Sequence, residues 1–182
     1  MLIDILGGNV IREISNLNTL EKLRSLYLKS NMIDSIHGLS LLKSLEIIDL
    51  SSNKIKKIEK IEKCVNLTKI NLSNNYITIF EGLSNLSSLE ELILYNNKIN
   101  SIKETRGLIS IKKLDLSHNF IDSGLDKIKN LDRVSDFSIE NNPISRKPEF
   151  SKYLRKTIPK LTIFNGRKSL APKEMSSKSS CL

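Results

Sequence analysis

The stretch from Leu23 to Leu42, LRSLYLKSNMIDSIHGLSLL, decides how this chain folds. Its apolar residues fall on two different periods. Leu26 and Leu28 alternate with Ser25, Tyr27 and Lys29, the two-residue period of a strand with one buried face. Beyond Asn31 the spacing widens to three, through Ile33, Ile36, Leu39 and Leu42. That is too tight for a long 3.6-residue helix and suits short 3₁₀ or helical turns. At Leu45 the frame starts again.

Working outward, asparagine recurs at Asn9, Asn31, Asn53, Asn75, Asn97, Asn119 and Asn142, with five spacings of 22 and then one of 23. The repeated unit is L-x-x-L-x-L-x-x-N-x-I-x-x-I-x-x-L-x-x-L-x-x. One strand per unit, joined to the next by a compact return, has to run parallel to its neighbours, and repetition stacks the units. The expected fold class is therefore α/β: a right-handed, curved solenoid with a parallel sheet on its concave side and short 3₁₀ or helical turns on its convex side. A buried amide without partners is costly, so each repeated Asn is expected to accept one backbone N–H and donate to carbonyls of its own or the adjacent coil. The seven form a structural ladder.

Composition agrees. Of 182 residues, 28 are Leu and 25 are Ile, against nine aromatics. Such aliphatic density with 27% charged residues excludes a disordered chain. No run approaches the ~20 apolar residues of a membrane span, and Met1-Leu2-Ile3-Asp4 lacks the pattern of a signal peptide. Cys64 and Cys181, with His37 and His118, offer no metal-ligand spacing and no disulfide framework, which points to a reducing compartment, cytoplasmic or nuclear. The net charge of +9 is local: residues 1–145 hold 19 basic and 18 acidic side chains, residues 146–182 hold 10 and two. A solvated basic end is the expectation there, and nucleic acid is not an expected partner.

The repeats resemble leucine-rich repeats of the 22-residue class, typified by the leucine-rich regulatory subunit of type-1 protein phosphatase. A second segment, Asn142-Pro143-Ile144, Phe150, Tyr153, Ile158-Pro159-Lys160-Leu161 and Phe164-Asn165-Gly166, is similar to the C-terminal cap of that class. The resulting domain plan is seven repeats over residues 1–145, the first one incomplete or uncapped, a cap over 142–166, and a basic disordered tail over 167–182. One extra residue near Ser123-Gly124 is read as a bulged convex turn.

No phosphate-binding glycine loop, metal pair or catalytic constellation is present, so no cofactor and no enzymatic activity are expected. Cys64 stands where other units have Leu42, Leu86 and Leu108, and reads as core. The candidate binding residues are those the core does not require on the concave face: Tyr27, Ile47, Asp49, Asn71, Glu91, Ile93, Tyr95 and Asp115. The resemblance implies a non-enzymatic protein-interaction module gripping a protein partner, with type-1 phosphatase catalytic subunit the first named. Similarity to an axonemal dynein light chain implies a dynein heavy chain instead. Similarity to the spliceosomal A-prime protein implies a ribonucleoprotein scaffold.

Overall fold

The computed structural model describes residues 2–168. Its strands are β1 (Leu2–Ile5), β2 (Leu23–Tyr27), β3 (Ile47–Asp49), β4 (Lys69–Asn71), β5 (Ile79–Phe80), β6 (Glu91–Ile93), β7 (Ser101–Ile102), β8 (Lys113–Asp115), β9 (Asp136–Ser138), β10 (Ile163–Phe164) and β11 (Arg167–Lys168). The principal sheet runs β1-β2-β3-β4-β6-β8-β9-β10-β11, parallel throughout except for the final antiparallel pair. Register places identical repeat positions side by side. Leu26, Ile48, Ile70, Leu92, Leu114 and Phe137 form the buried row of the sheet.

The returns follow from the three-residue spacing. Leu42 N–H donates to Leu39 O at 2.9 Å and Leu45 N–H to Leu42 O at 3.1 Å, and the same i to i−3 pair recurs at Cys64/Ile61 and Leu67/Cys64, then at Leu86/Leu83 and Leu89/Leu86. Each is a single 3₁₀-type turn that buries its apolar corners and does not extend into a helix. Two convex segments are more than single turns, and the first of them departs from the expected 3₁₀ or helical turns. β5 and β7 form a second, two-stranded parallel sheet where Phe80, fully buried, replaces the smaller Ile36 and Ile58. The longer unit carries a 3₁₀ helix, Leu125–Asn130. Gly124 opens it at φ 85°, and a Cβ there would lie 2.2 Å from Ile102 O, so the extra residue is absorbed where only glycine fits.

The asparagines are bonded as a ladder. Asn75 Oδ1 accepts from Ile55 N at 3.0 Å, while its Nδ2 donates to Leu50 O and Leu72 O, both at 3.0 Å. Asn31, Asn53, Asn97, Asn119 and Asn142 make the equivalent bonds, and all six are buried. Asn9 is the exception. It donates to Leu6 O and Gly7 O but is exposed, because the described chain places no coil before it. Asn165 in the cap makes a different bond: its Oδ1 accepts from Ile139 N at 2.9 Å, in place of the strand carbonyl that Ser138 offers to Leu116 N–H one unit earlier. Immediately before each ladder residue the backbone is left-handed, at Gly8, Ser30, Ser52, Asn74, Asn96, His118 and Asn141 (φ 52° to 72°), which turns the chain out of the strand.

Residues Ile163–Phe164 imitate the strand of one more unit, and an α-helix, α1 (Phe150–Thr157), stands in for the return. Phe150, Leu154 and Ile158 cover the last coil, and the Phe164 ring stacks on Phe137 with centroids 6.5 Å apart. Arg167 and Lys168, assigned by sequence to the tail, pair with β10 as the closing hairpin. Residues 169–182 lie outside the described residues. At the opposite end Leu6, Ile11, Leu17 and Leu20 are only partly buried.

Two predictions follow from the bonding. Leu50 O and Leu72 O each accept from two ladder amides, but Ile55 N–H has Asn75 as its acceptor. Asn75→Ala should therefore cost about 1–3 kcal/mol, the orphaned N–H dominating. Asn75→Asp should be worse at pH 8 than at pH 5, since a buried carboxylate facing two carbonyls has its pKa raised and its stability is lost as pH rises through that value. Urea midpoints at both pH values check this, and an unchanged midpoint for Asn75→Ala would refute the ladder's stabilising role. In hydrogen exchange, the amides of residues 6–20 should exchange much faster than those of 67–110.

Candidate functional site

The exposed face of the sheet is built from the residues that alternate with its buried row. Register sets Tyr27, Asp49, Asn71, Ile93, Asp115 and Ser138 in one line, and Ser25, Ile47, Lys69, Glu91, Lys113 and Asp136 in a second. Tyr27, Ile47, Asp49, Asn71, Glu91 and Ile93 line one shallow depression of about 310 Å³, together with Lys69. Six of the eight residues singled out from sequence thus meet in one place. Tyr95 and Asp115 lie outside it.

Charges on this face are already matched. Glu91 sits between Lys69 at 3.4 Å and Lys113 at 3.8 Å, and Lys113 also reaches Asp136 at 3.7 Å. These pairs are solvent-exposed and add little stability, but they leave the second line nearly neutral. The polar members of the first line are engaged too. Asp49 Oδ1 accepts from Ser51 N at 2.8 Å, Asn71 Oδ1 from Ser73 N at 3.1 Å, and Asp115 Oδ1 from Ser117 N at 2.9 Å. Ser73 Oγ and Ser117 Oγ donate to the same acceptors. The three serines, which alternation places on the open face, are buried as a result. Asp49, Asn71 and Asp115 are therefore strand-exit caps as well as surface groups, whereas Tyr27, Ile47 and Ile93 carry no such duty.

Tyr95 belongs to an adjoining surface on the loop edge. Its ring meets His118 at 4.9 Å between centroids, and His118 Nε2 lies 2.9 Å from Asn141 Nδ2, a matched pair when the neutral ring carries its proton on Nδ1. One row further out, Tyr76, Lys98 and Phe120 line a depression of about 370 Å³ with Asn74 and Asn96. Lys98 Nζ stands 4.8 Å from the Tyr76 ring centre. Phe120 is 61% exposed, more than a core or a turn requires. Sequence reading missed Tyr76 and Phe120. The signal was the position directly after each ladder asparagine, where aromatic residues alternate with Lys54 and Lys98.

His37 pairs with Ser35 Oγ at 2.8 Å through Nδ1 on the return path, apart from both surfaces. Cys64 is buried with Sγ 3.4 Å from Leu39 O, and burial pushes its thiol up from the ordinary 9.0 to about 11. Its contribution to stability is complete below pH 9 and declines as pH rises toward 11. Among the described residues no group of three His, Cys, Asp or Glu side chains could hold a metal ion, and no helix is long and apolar enough to cross a membrane.

Comparison with known families adds a match over residues 43–85 to the family described as Leucine Rich repeats (2 copies). These units are leucine-rich repeats. The solenoid is similar to a leucine-rich repeat protein of Leptospira interrogans, at 28% identity and a TM-score of 0.77, over 87% of this chain and 41% of that one. This chain thus spans less than half the length of that relative. Internalin C2 of Listeria monocytogenes is similar at 25% identity and a TM-score of 0.74, covering 86% of this chain and 66% of that one. A chain of the Drosophila melanogaster SNF/U2A′ complex is similar at 26% identity and a TM-score of 0.63, covering 70% and 76%. No curated protein matches the sequence.

The double use of the first line gives a measurable asymmetry. Asp115→Ala should lower stability by about 1–2 kcal/mol, because the buried Ser117 N–H loses its acceptor, while Ile93→Ala, with nothing depending on it, should change the melting temperature little. Thermal melts of the two variants check this; equal effects would contradict the capping role. With Cys181 replaced by Ser, DTNB at pH 8 should label Cys64 only as fast as the chain unfolds.

Proposed function

We propose that the chain is a non-enzymatic protein-interaction module that grips a segment of a partner on the exposed face of its sheet. The observation that carries this reading is the depression lined by Tyr27, Ile47 and Ile93. These three half-exposed apolar side chains meet between matched charges, and none of them has a hydrogen-bonding duty in the fold. Aromatic and aliphatic anchors with a polar rim are the composition of a binding centre. Tyr95, Tyr76 and Phe120 extend the contact over the loop edge, which matters because a strip of six strands ~4.8 Å apart offers less than the ~800 Å² per partner of a standard interface.

Type-1 phosphatase catalytic subunit is the partner that the sequence resemblance names. Tyr27, Asp49 and Asp115 support it in residue kind, with Asp49 and Asp115 presenting only the oxygens left over from capping. A cytoplasmic or nuclear location would suit such a partner. A second reading, a ribonucleoprotein scaffold, is supported by the likeness to a chain of the SNF/U2A′ complex.

Capture from cell extract followed by mass spectrometry separates these readings by the class of protein recovered. With the recovered partner purified, Tyr27→Ala should weaken binding about thirtyfold, the effect of losing a central anchor worth ~2 kcal/mol, at unchanged melting temperature. Lys63→Glu on the return path should leave binding intact. Loss with Lys63→Glu and retention with Tyr27→Ala would move the interface to the convex side.

A further inference from the structure

The capped end of the solenoid carries an excess of positive charge. Along residues 1–145 the 19 basic side chains are balanced by 18 acidic ones, and several stand in ion pairs: Arg24 with Glu46, Lys69 with Glu91, Lys112 with Glu90, Lys127 with Asp126. The cap is different. Residues 146–168 hold eight Lys or Arg and a single acidic residue, Glu149. Among the described residues, Lys152, Lys156, Lys160, Arg167 and Lys168 are exposed, and none stands in an ion pair. Lys152 and Lys156 come from α1, whose apolar residues Phe150 and Leu154 face inward, while Arg167 and Lys168 form the edge strand β11.

Between these two elements lies a depression of about 240 Å³. Leu154, Leu161 and Phe164 supply its apolar lining, and Arg155, Arg167 and Lys168 its charged members. Phe164 is half-buried and backed by Phe137, so its ring is held in place. Charge on an edge strand discourages pairing with other chains, which accounts for Arg167 and Lys168. It does not account for the cations of α1 or for a half-open aromatic ring beneath them.

We propose that this end face binds single-stranded nucleic acid, with a base entering the depression against Phe164 and the flanking phosphates resting on the cations of α1 and β11. A positive surface combined with an aromatic platform is the general means of holding an unpaired strand, and guanidinium groups add planar contacts to bases. An anionic membrane fits less well, since none of the large apolar residues that stand exposed among the described residues lies in the cap. An acidic peptide would satisfy the cations and leave the apolar lining unused. The surface is separate from the sheet face and does not rest on the protein-binding reading.

The test is fluorescence anisotropy with end-labelled oligouridine and oligothymidine of about 15 nucleotides, a length that covers one such site. Binding of either strand at about 50 mM salt is expected, weakening about 50-fold at about 200 mM if some four phosphates are neutralised. Arg167→Glu with Lys168→Glu should weaken binding at least about tenfold, whereas Lys56→Glu with Lys57→Glu, the same charge change far from the cap, should alter it less than about twofold. Phe164→Leu, confirmed as folded by its melting curve, keeps an apolar lining without the ring. It should weaken oligonucleotide binding about fivefold or more and leave the binding of inorganic polyphosphate unchanged. No binding at low salt overturns the proposal, as does equal loss from the two charge reversals. Equal affinity for polyphosphate and oligonucleotide, or capture of phosphatidylserine vesicles in place of either strand, overturns it too.

Discussion

Everything in this solenoid depends on one hydrogen bond repeated along its length: the side-chain oxygen of an asparagine accepting the backbone N–H two residues past the preceding asparagine. Turning the chain out of a strand leaves that N–H buried and without a backbone acceptor. The same amide donates to the carbonyl at the end of its own strand and to the equivalent carbonyl one coil earlier, as Asn53 does to Leu50 O and Leu28 O. A single side chain thereby satisfies groups from two coils and fixes their spacing. With that spacing set, the aliphatic residues fall into continuous rows and the exposed line from Tyr27 to Ser138 becomes a surface.

How far the sequence discloses this depends on whether a role recurs in one residue type. The ladder was legible because asparagine recurs at 22 residues, whereas the bond from Ile139 N–H to Asn165 was not, because it lies in a segment whose leucine frame has given way to aromatics. The second sheet was not legible, because Ile79 and Phe80 look like any apolar return. The left-handed row was written in Gly8, Ser30, Ser52, Asn74, Asn96, His118 and Asn141, residue types that share tolerance of positive φ rather than a name.

The exposed face of the sheet shows the same limit. Exposed positions were found by subtracting the core, which set Tyr27 beside Ile47 but put Ile93 with Tyr95 rather than in the same depression, and treated Asp49, Asn71 and Asp115 as spare. Their second duty could have been read in the triplets Asp49-Leu50-Ser51, Asn71-Leu72-Ser73 and Asp115-Leu116-Ser117, where a short acceptor stands two residues before a serine amide. Tyr76 and Phe120 were invisible for the opposite reason. Lys54 and Lys98 interrupt Met32, Tyr76 and Phe120 at that position, so no continuous apolar signal marks them. Exposed positions are free to differ along the solenoid, and only the core is copied from unit to unit.

The direction of the ladder has a consequence for how the chain is made. Each asparagine completes the coil before it, so during synthesis the newest coil always has an open N–H awaiting a residue still to be translated. Ile33 waits for Asn53, Ile99 for Asn119, and Ile121 for Asn142. The newest coil therefore stays incomplete until the next asparagine is added, and the cap serves the strand-exit amide of Ile139 through Asn165.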